Sequence, residues 1–209
     1  MRKYIGASVY GHRSEEKPVS SGRLEAFSDG VIAILITIMV LELGSPEGAD
    51  LDALSSLVPQ ILTYALSFVY IGIYWVNHHH MFQATERVSG RILWVNLLLL
   101  FWLSMVPFAT AWMNENYREA LPVAVYGIVM LVAAISGLGL QRAIISFQGA
   151  DSRLREALGS DAKGKATAVL YVSAICLAFL NTWLSIALYV TVALMWMIPD
   201  RRIESVIER

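Results

Sequence analysis

Cysteine is almost absent: Cys176 is alone among 209 residues, which excludes an intrachain disulfide and argues against a thiolate metal site. It is expected to behave as a small buried hydrophobe within an apolar run. Charge is scarce as well. Asp, Glu, Lys and Arg make up 16% of the chain against 56% hydrophobic residues, and the mean hydropathy is +0.56, which excludes an ordinary soluble domain. Histidine outside one triplet is limited to His12. A membrane-embedded metal enzyme would need ligands dispersed over several helices, and nucleic-acid binding would need a basic patch that is missing here. No soluble catalytic domain and no compelling internal repeat are visible. The apolar sequence starts only at residue 24, after a polar segment without a cleavage signal, so a removable secretory peptide is not expected.

What is present is a set of long apolar runs, at 24–43, 58–82, 92–113, 122–141, 166–180 and 182–198. Most approach the roughly 20 residues that cross a hydrocarbon core of about 30 Å. The stretch from 166 to 199 reads as two short spans hinged near Asn181, because one continuous helix would overshoot the bilayer. An all-α integral membrane protein of six transmembrane helices is therefore expected. It comprises a cytoplasmic tail over 1–22, a six-helix domain over 23–199 and a cytoplasmic tail over 200–209. Fifteen of the sixteen Lys and Arg fall on one side of this arrangement and only Arg118 on the other. The positive-inside rule assigns that side, with both termini, to the cytoplasm. Opposite it, Glu47, Asp50, Asp52, Glu115 and Glu119 give a mildly acidic outer face.

The most informative segment is Arg23-Leu-Glu-Ala-Phe27-Ser28-Asp29-Gly30, which leads directly into VIAILITIMVLEL. A carboxylate at membrane depth costs about 2.5 to 3.5 kcal/mol on insertion scales, so such a group normally faces a bundle interior and serves an ion pathway or its support. Helical spacing places Phe27, Gly30, Ile34, Thr37 and Leu41 on one stripe. Asp29 lies about 140° from Ile34 around the helix. The carboxylate thus turns toward neighbouring helices, leaving the stripe to face a pore, another subunit, or simply a packing seam.

The second span ends in Tyr74-Trp75-Val76-Asn77-His78-His79-His80. Successive helical residues are about 100° apart, so the three imidazoles cannot converge on one metal ion, and no metal site is expected. Asp29 sits about 8 Å into the first span and His78 a similar distance before the end of the second. Antiparallel neighbours at that depth predict a cluster of Arg23, Asp29 and His78, joined by Asn77 or Ser104, that fixes the angle of the first helix.

The RxxxFSD start of Arg23, Phe27, Ser28 and Asp29, with Trp75, the His78 region and Pro107-Phe108 in the third span, resembles the bacterial branch of the endosomal and lysosomal potassium channels, the transmembrane protein 175 family. The resemblance implies a homotetramer of six-helix subunits in the bacterial inner membrane, with the first helix of each lining a central pore. It implies a potassium-permeable, moderately selective cation channel that is not voltage-gated and performs no catalysis. Its partners are monovalent cations and lipid, with no cofactor beyond permeant potassium and no nucleic acid. By position, Ile34 and Leu41 resemble the hydrophobic constriction and a further apolar layer, and Thr37 the polar layer between them. Arg23, Phe27, Ser28, Asp29, Asn77, His78 and Ser104 become a structural and gating network. No TVGYG filter exists, and Tyr126-Gly127 is no substitute because it lies inside a span. Members of the family have also been linked to proton conduction, and a proton- or ion-coupled transporter is the reading from another class.

Overall fold

The computed structural model describes residues 19–85, 87–149 and 162–198. Most of both expected tails, and the polar linker from 150 to 161, lie outside them. Eight helices are found among the described residues: α1 Ser21–Leu41, α2 Leu51–Ser56, α3 Val58–Gln83, α4 Gly90–Ser104, α5 Val106–Glu115, α6 Ala120–Gln148, α7 Ala162–Ala178 and α8 Thr182–Met197. Two short strands, β1 Val19–Ser20 and β2 Arg87–Val88, pair antiparallel with Val19 opposite Val88 and Ser20 opposite Arg87. They tie the entry of α1 to the segment that follows α3.

Local chemistry sets the helix ends. The Asp50 carboxylate accepts from the Ala53 amide at 2.8 Å to start α2, and Ser89 accepts from the Ile92 amide at 3.4 Å to start α4. The expected hinge is a cap: Asn181 Oδ1 accepts from the amides of Trp183 at 2.9 Å and Leu184 at 3.4 Å, opening α8 three residues after α7 ends. The third apolar run is broken in two at Met105. Pro107 has no amide hydrogen to give to the Leu103 carbonyl, so α4 stops and α5 begins anew two residues later.

Four stretches are long and apolar enough to cross a membrane: Ser21–Leu41, Val58–Gln83, Gly90–Glu115 and Ala120–Gln148. The runs expected as a fifth and a sixth span form the shorter helices α7 and α8, of 17 and 16 residues. At 1.5 Å per residue they reach about 24 to 26 Å, a little less than the hydrocarbon core.

Helix α6 is the central post, packed against α4, α5, α7 and α8, while α3 packs on α5 and α8. Four tyrosines fill the space between α3, α6, α7 and α8: Tyr70, Tyr126, Tyr171 and Tyr189 are each no more than 2% exposed. Their hydroxyls cannot remain unpaired in an apolar bundle. The Tyr70 hydroxyl donates to the Tyr189 carbonyl, the Tyr189 hydroxyl to the Val123 carbonyl at 3.0 Å, and Tyr126 shares a hydrogen bond with Ser67, itself 2.8 Å from Thr110. Gly127 makes this packing possible, because a Cβ there would lie 2.1 Å from the Tyr189 hydroxyl oxygen. The Tyr126-Gly127 pair is therefore interior scaffold. Cys176 departs from expectation, since it is exposed on α7. Ala174 and Ala178 turn inward instead, and Cys176 shares the outward apolar face with Val172, Phe179 and Leu180.

Candidate functional site

Helix α1 packs on α3, α4 and α5, and these contacts all fall on one side. Leu24, Ser28, Ile32, Leu35 and Met39 form the buried row, at the three- and four-residue spacing of one helical face. The other face has no neighbouring helix among the described residues. Arg23, Phe27, Gly30, Ile34, Thr37 and Leu41 are all exposed there, with Phe27 53%, Ile34 58% and Leu41 77% accessible. The stripe expected from helical spacing is thus the open face of α1. Thr37 keeps its hydroxyl on this face while donating to the Ile34 carbonyl at 2.9 Å, which leaves its oxygen lone pairs directed away from the helix.

The back of α1 is held by three polar contacts. Ser28 donates to the Leu24 carbonyl at 2.8 Å and accepts from the Asn96 amide at 2.9 Å, and Asn96 Oδ1 lies 2.8 Å from His78 Nε2. An amide oxygen only accepts, so His78 donates through Nε2. Ser28, Asn96 and His78 are all 1% exposed or less, and they join α1, α4 and α3 at one point. Beside this buried chain, Trp75 Nε1 donates to Asp29 Oδ1 at 3.0 Å, and His79 Nδ1 lies 2.8 Å from Glu25 Oε1. Glu25 and Asp29 are one turn apart on α1, as are Trp75 and His79 on α3. The antiparallel helices therefore meet in two consecutive rungs, and the rings of Trp75 and His79 stack at 6.0 Å.

The expected cluster of Arg23, Asp29 and His78 does not form. The depth argument placed α3 correctly beside α1, but His78 and His79 differ by about 100° around α3. His78 consequently turns inward to Asn96, and Asp29 finds Trp75. Arg23 stands on the open face with Ile34 and makes no hydrogen bond or ion pair among the described residues. Phe27 also points to the open face, away from Ser28. Asn77 bonds back to the Ile73 carbonyl at 2.8 Å and exposed Ser104 to the Phe101 carbonyl at 2.7 Å, so neither joins the network. The three imidazoles diverge, His79 bonding Glu25 and Gln83 while His78 meets Asn96.

Sequence reasoning missed Asn96 and Glu25. Asn96 announces itself as the lone polar residue in ILWVNLLLL, a position where an amide in a membrane helix needs a partner on another helix. Glu25 carried a signal too, as a second acid one turn before Asp29.

Four matches to known proteins bear on this geometry. Residues 23–107, which contain the open face of α1 and its supports, match the family described as endosomal/lysosomal potassium channel TMEM175. A potassium channel of Chryseobacterium sp. is 49% identical over 186 residues, covering 89% of this chain and 97% of that protein. An endosomal/lysosomal proton channel, TMEM175 of Gallus gallus, is 29% identical over 61% of this chain but only 31% of its own length. The crystal structure of a lysosomal potassium-selective channel TMEM175 homolog from Chamaesiphon minutus superposes with a TM-score of 0.74 at 31% identity, covering 86% of this chain and 97% of that one. By the extent of these matches and the residues that carry them, the chain belongs to the bacterial branch of the TMEM175 family of endosomal/lysosomal potassium channels.

Proposed function

We propose that this chain is one subunit of a homotetrameric, potassium-permeable cation channel whose pore is lined by the open face of α1. The observation that carries the reading is that face: a row of apolar residues around one hydroxyl, left open by the described residues and braced from behind by hydrogen bonds to α3 and α4. Four copies of Ile34 converging on an axis close a pore by dewetting it, without any plug. Leu41 adds a second apolar layer toward the acidic side. Between them four Thr37 hydroxyls offer oxygen ligands to an ion that sheds water, which gives moderate preference for potassium where no carbonyl filter exists. Six crossings place both termini in the cytoplasm of a bacterial inner membrane, with α7 and α8 as the short fifth and sixth spans. No chemical step and no voltage sensor are required, because α1 carries Arg23 at its end and no row of arginines within the span.

The name of the Gallus gallus relative favours a second reading, proton permeation along the same axis. Reversal potentials in planar bilayers separate the two. With potassium on one side and sodium on the other, the proposed channel gives a potential shifted toward the potassium equilibrium value, insensitive to a superimposed pH gradient. A potential that follows the pH gradient alone assigns the pore to protons.

A further inference from the structure

We propose that Glu25 and His79 form a proton-operated latch between α1 and α3, so that acid on the cytoplasmic side holds the α1 constriction in its braced position. This rests on the reading of α1 as the pore helix. The contact itself is His79 Nδ1 to Glu25 Oε1 at 2.8 Å, the one carboxylate pair of a basic side chain found among the described residues. The geometry also fixes the protons. A carboxylate only accepts, so Nδ1 carries hydrogen, and Nε2, 2.8 Å from the Gln83 amide nitrogen, accepts from it. His79 is thus a donor to Glu25 in its neutral form, with a side chain 38% exposed. Adding a proton at Nε2 requires only that Gln83 turn its amide to present oxygen. It converts a hydrogen bond from a neutral imidazole to an ionised carboxylate into a full ion pair with Glu25.

The consequence follows from where Glu25 sits. Ile34 comes nine positions later, which is about 180° around the helix and about 13.5 Å along it. The latch therefore grips the back of the helix whose front carries the constriction. His79 also stacks on Trp75, which holds Asp29, so both acids of α1 are fastened to one aromatic pair on α3. Among the described residues, Glu25 on α1 bonds His79, Asp29 is held by the Trp75 that stacks on His79, and His78 and His80 flank it on α3 itself. Helix α8 contains no charged residue, and the single acid of α5, Glu115, lies at the opposite end of the bundle. Arg87 and Arg91 lie at the same end as His79 but form no ion pair with either partner among the described residues. Imidazole is the side chain whose ordinary charge change falls between about pH 5 and about 8.

The test uses purified full-length protein in liposomes, with potassium flux measured while the pH at the cytoplasmic face is stepped between about 8 and about 6. The expected result is a fall in flux on acidification of about two- to fivefold, the scale of one partly exposed ion pair. His79→Gln and Glu25→Gln should both flatten this dependence. Imidazole NMR on the same protein, with His79 assigned from His79→Gln, supplies a readout independent of conduction. Its Nδ1–H resonance should move in Glu25→Gln, where the carboxylate acceptor is gone. Flux without pH dependence in the parent protein, or with the same dependence in both variants, overturns the latch and leaves the channel intact. An unchanged His79 Nδ1–H resonance in Glu25→Gln overturns the pairing even if no potassium flux is seen. Absent flux at every pH from folded protein, with the Nδ1–H resonance moved as expected, sinks the channel reading and with it the latch's effect on conduction.

Discussion

Replacing Asn96 with Leu tests how α1 is braced, because this amide makes two buried hydrogen bonds to two different helices. Substitution by Leu keeps the volume and removes both partners at once. The Ser28 hydroxyl still donates to the Leu24 carbonyl, so its loss is one hydrogen bond of about 0.5 to 1.5 kcal/mol. His78 fares worse. Its Nδ1 already lacks a partner, and the loss of Asn96 Oδ1 leaves the whole ring unpaired at 1% exposure, which costs about 1 to 3 kcal/mol for an orphaned buried donor. The two together give a destabilisation of about 1.5 to 4.5 kcal/mol, above the roughly 0.6 kcal/mol average of hydrogen bonds between membrane helices because an orphan is created. Reversible unfolding of the protein in mixed micelles measures it, with Ser104→Ala as reference. Exposed Ser104 bonds only its own helix and its loss should stay within about 0.5 kcal/mol. His78→Phe combined with Asn96→Leu should cost less than Asn96→Leu alone, since no imidazole is then stranded. If Asn96→Leu is as mild as Ser104→Ala, the buried chain does not brace α1 and the reasoning fails.

Gly127→Ala should destabilise by about 1 to 3 kcal/mol, the range for overpacking, since its methyl would meet Tyr189 at 2.1 Å and Ile175 at 2.8 Å and displace the hydroxyl from the Val123 carbonyl. The same unfolding assay checks it, and Tyr189→Phe should relieve part of the cost. Asp29→Asn keeps an oxygen for the Trp75 indole but loses the charge, so it should alter open probability in bilayer recordings without changing the potassium-to-sodium ratio. A changed ratio in an intact assembly would instead put Asp29 in the permeation path.

The faces of α1 were legible from spacing alone: Phe27, Gly30, Ile34, Thr37 and Leu41 repeat at helical intervals, and the structure leaves all five open. The Asn181 hinge was legible too, because a polar residue of high capping preference interrupts an apolar run. The partners of the polar residues were not. Depth in the bilayer brought α1 and α3 to the same level, but whether Asp29 meets His78 or Trp75 depends on the rotation of α3, and a run of three histidines offers the same chemistry at three angles. Packing by the interior tyrosines and by Phe82, on the same helix, settles that rotation, and no local pattern encodes it. Asn96 is separated from Ser28 by 68 residues and from His78 by 18, so only the folded bundle brings them together. Cys176 shows the limit of reading burial from composition, since an apolar residue in a membrane helix packs inward or outward with little difference in solvent cost.

The most direct test of the central claim is passive flux in liposomes containing the purified protein, with potassium and sodium gradients applied separately to the parent chain, to Ile34→Ala and to empty vesicles. The account predicts potassium flux above sodium flux in the parent and a raised leak in Ile34→Ala, where four smaller side chains can no longer dry the constriction. Potassium movement that is unchanged by Ile34→Ala, or that occurs only when a second gradient is coupled to it, would contradict the claim and return Ile34 to the role of a packing residue.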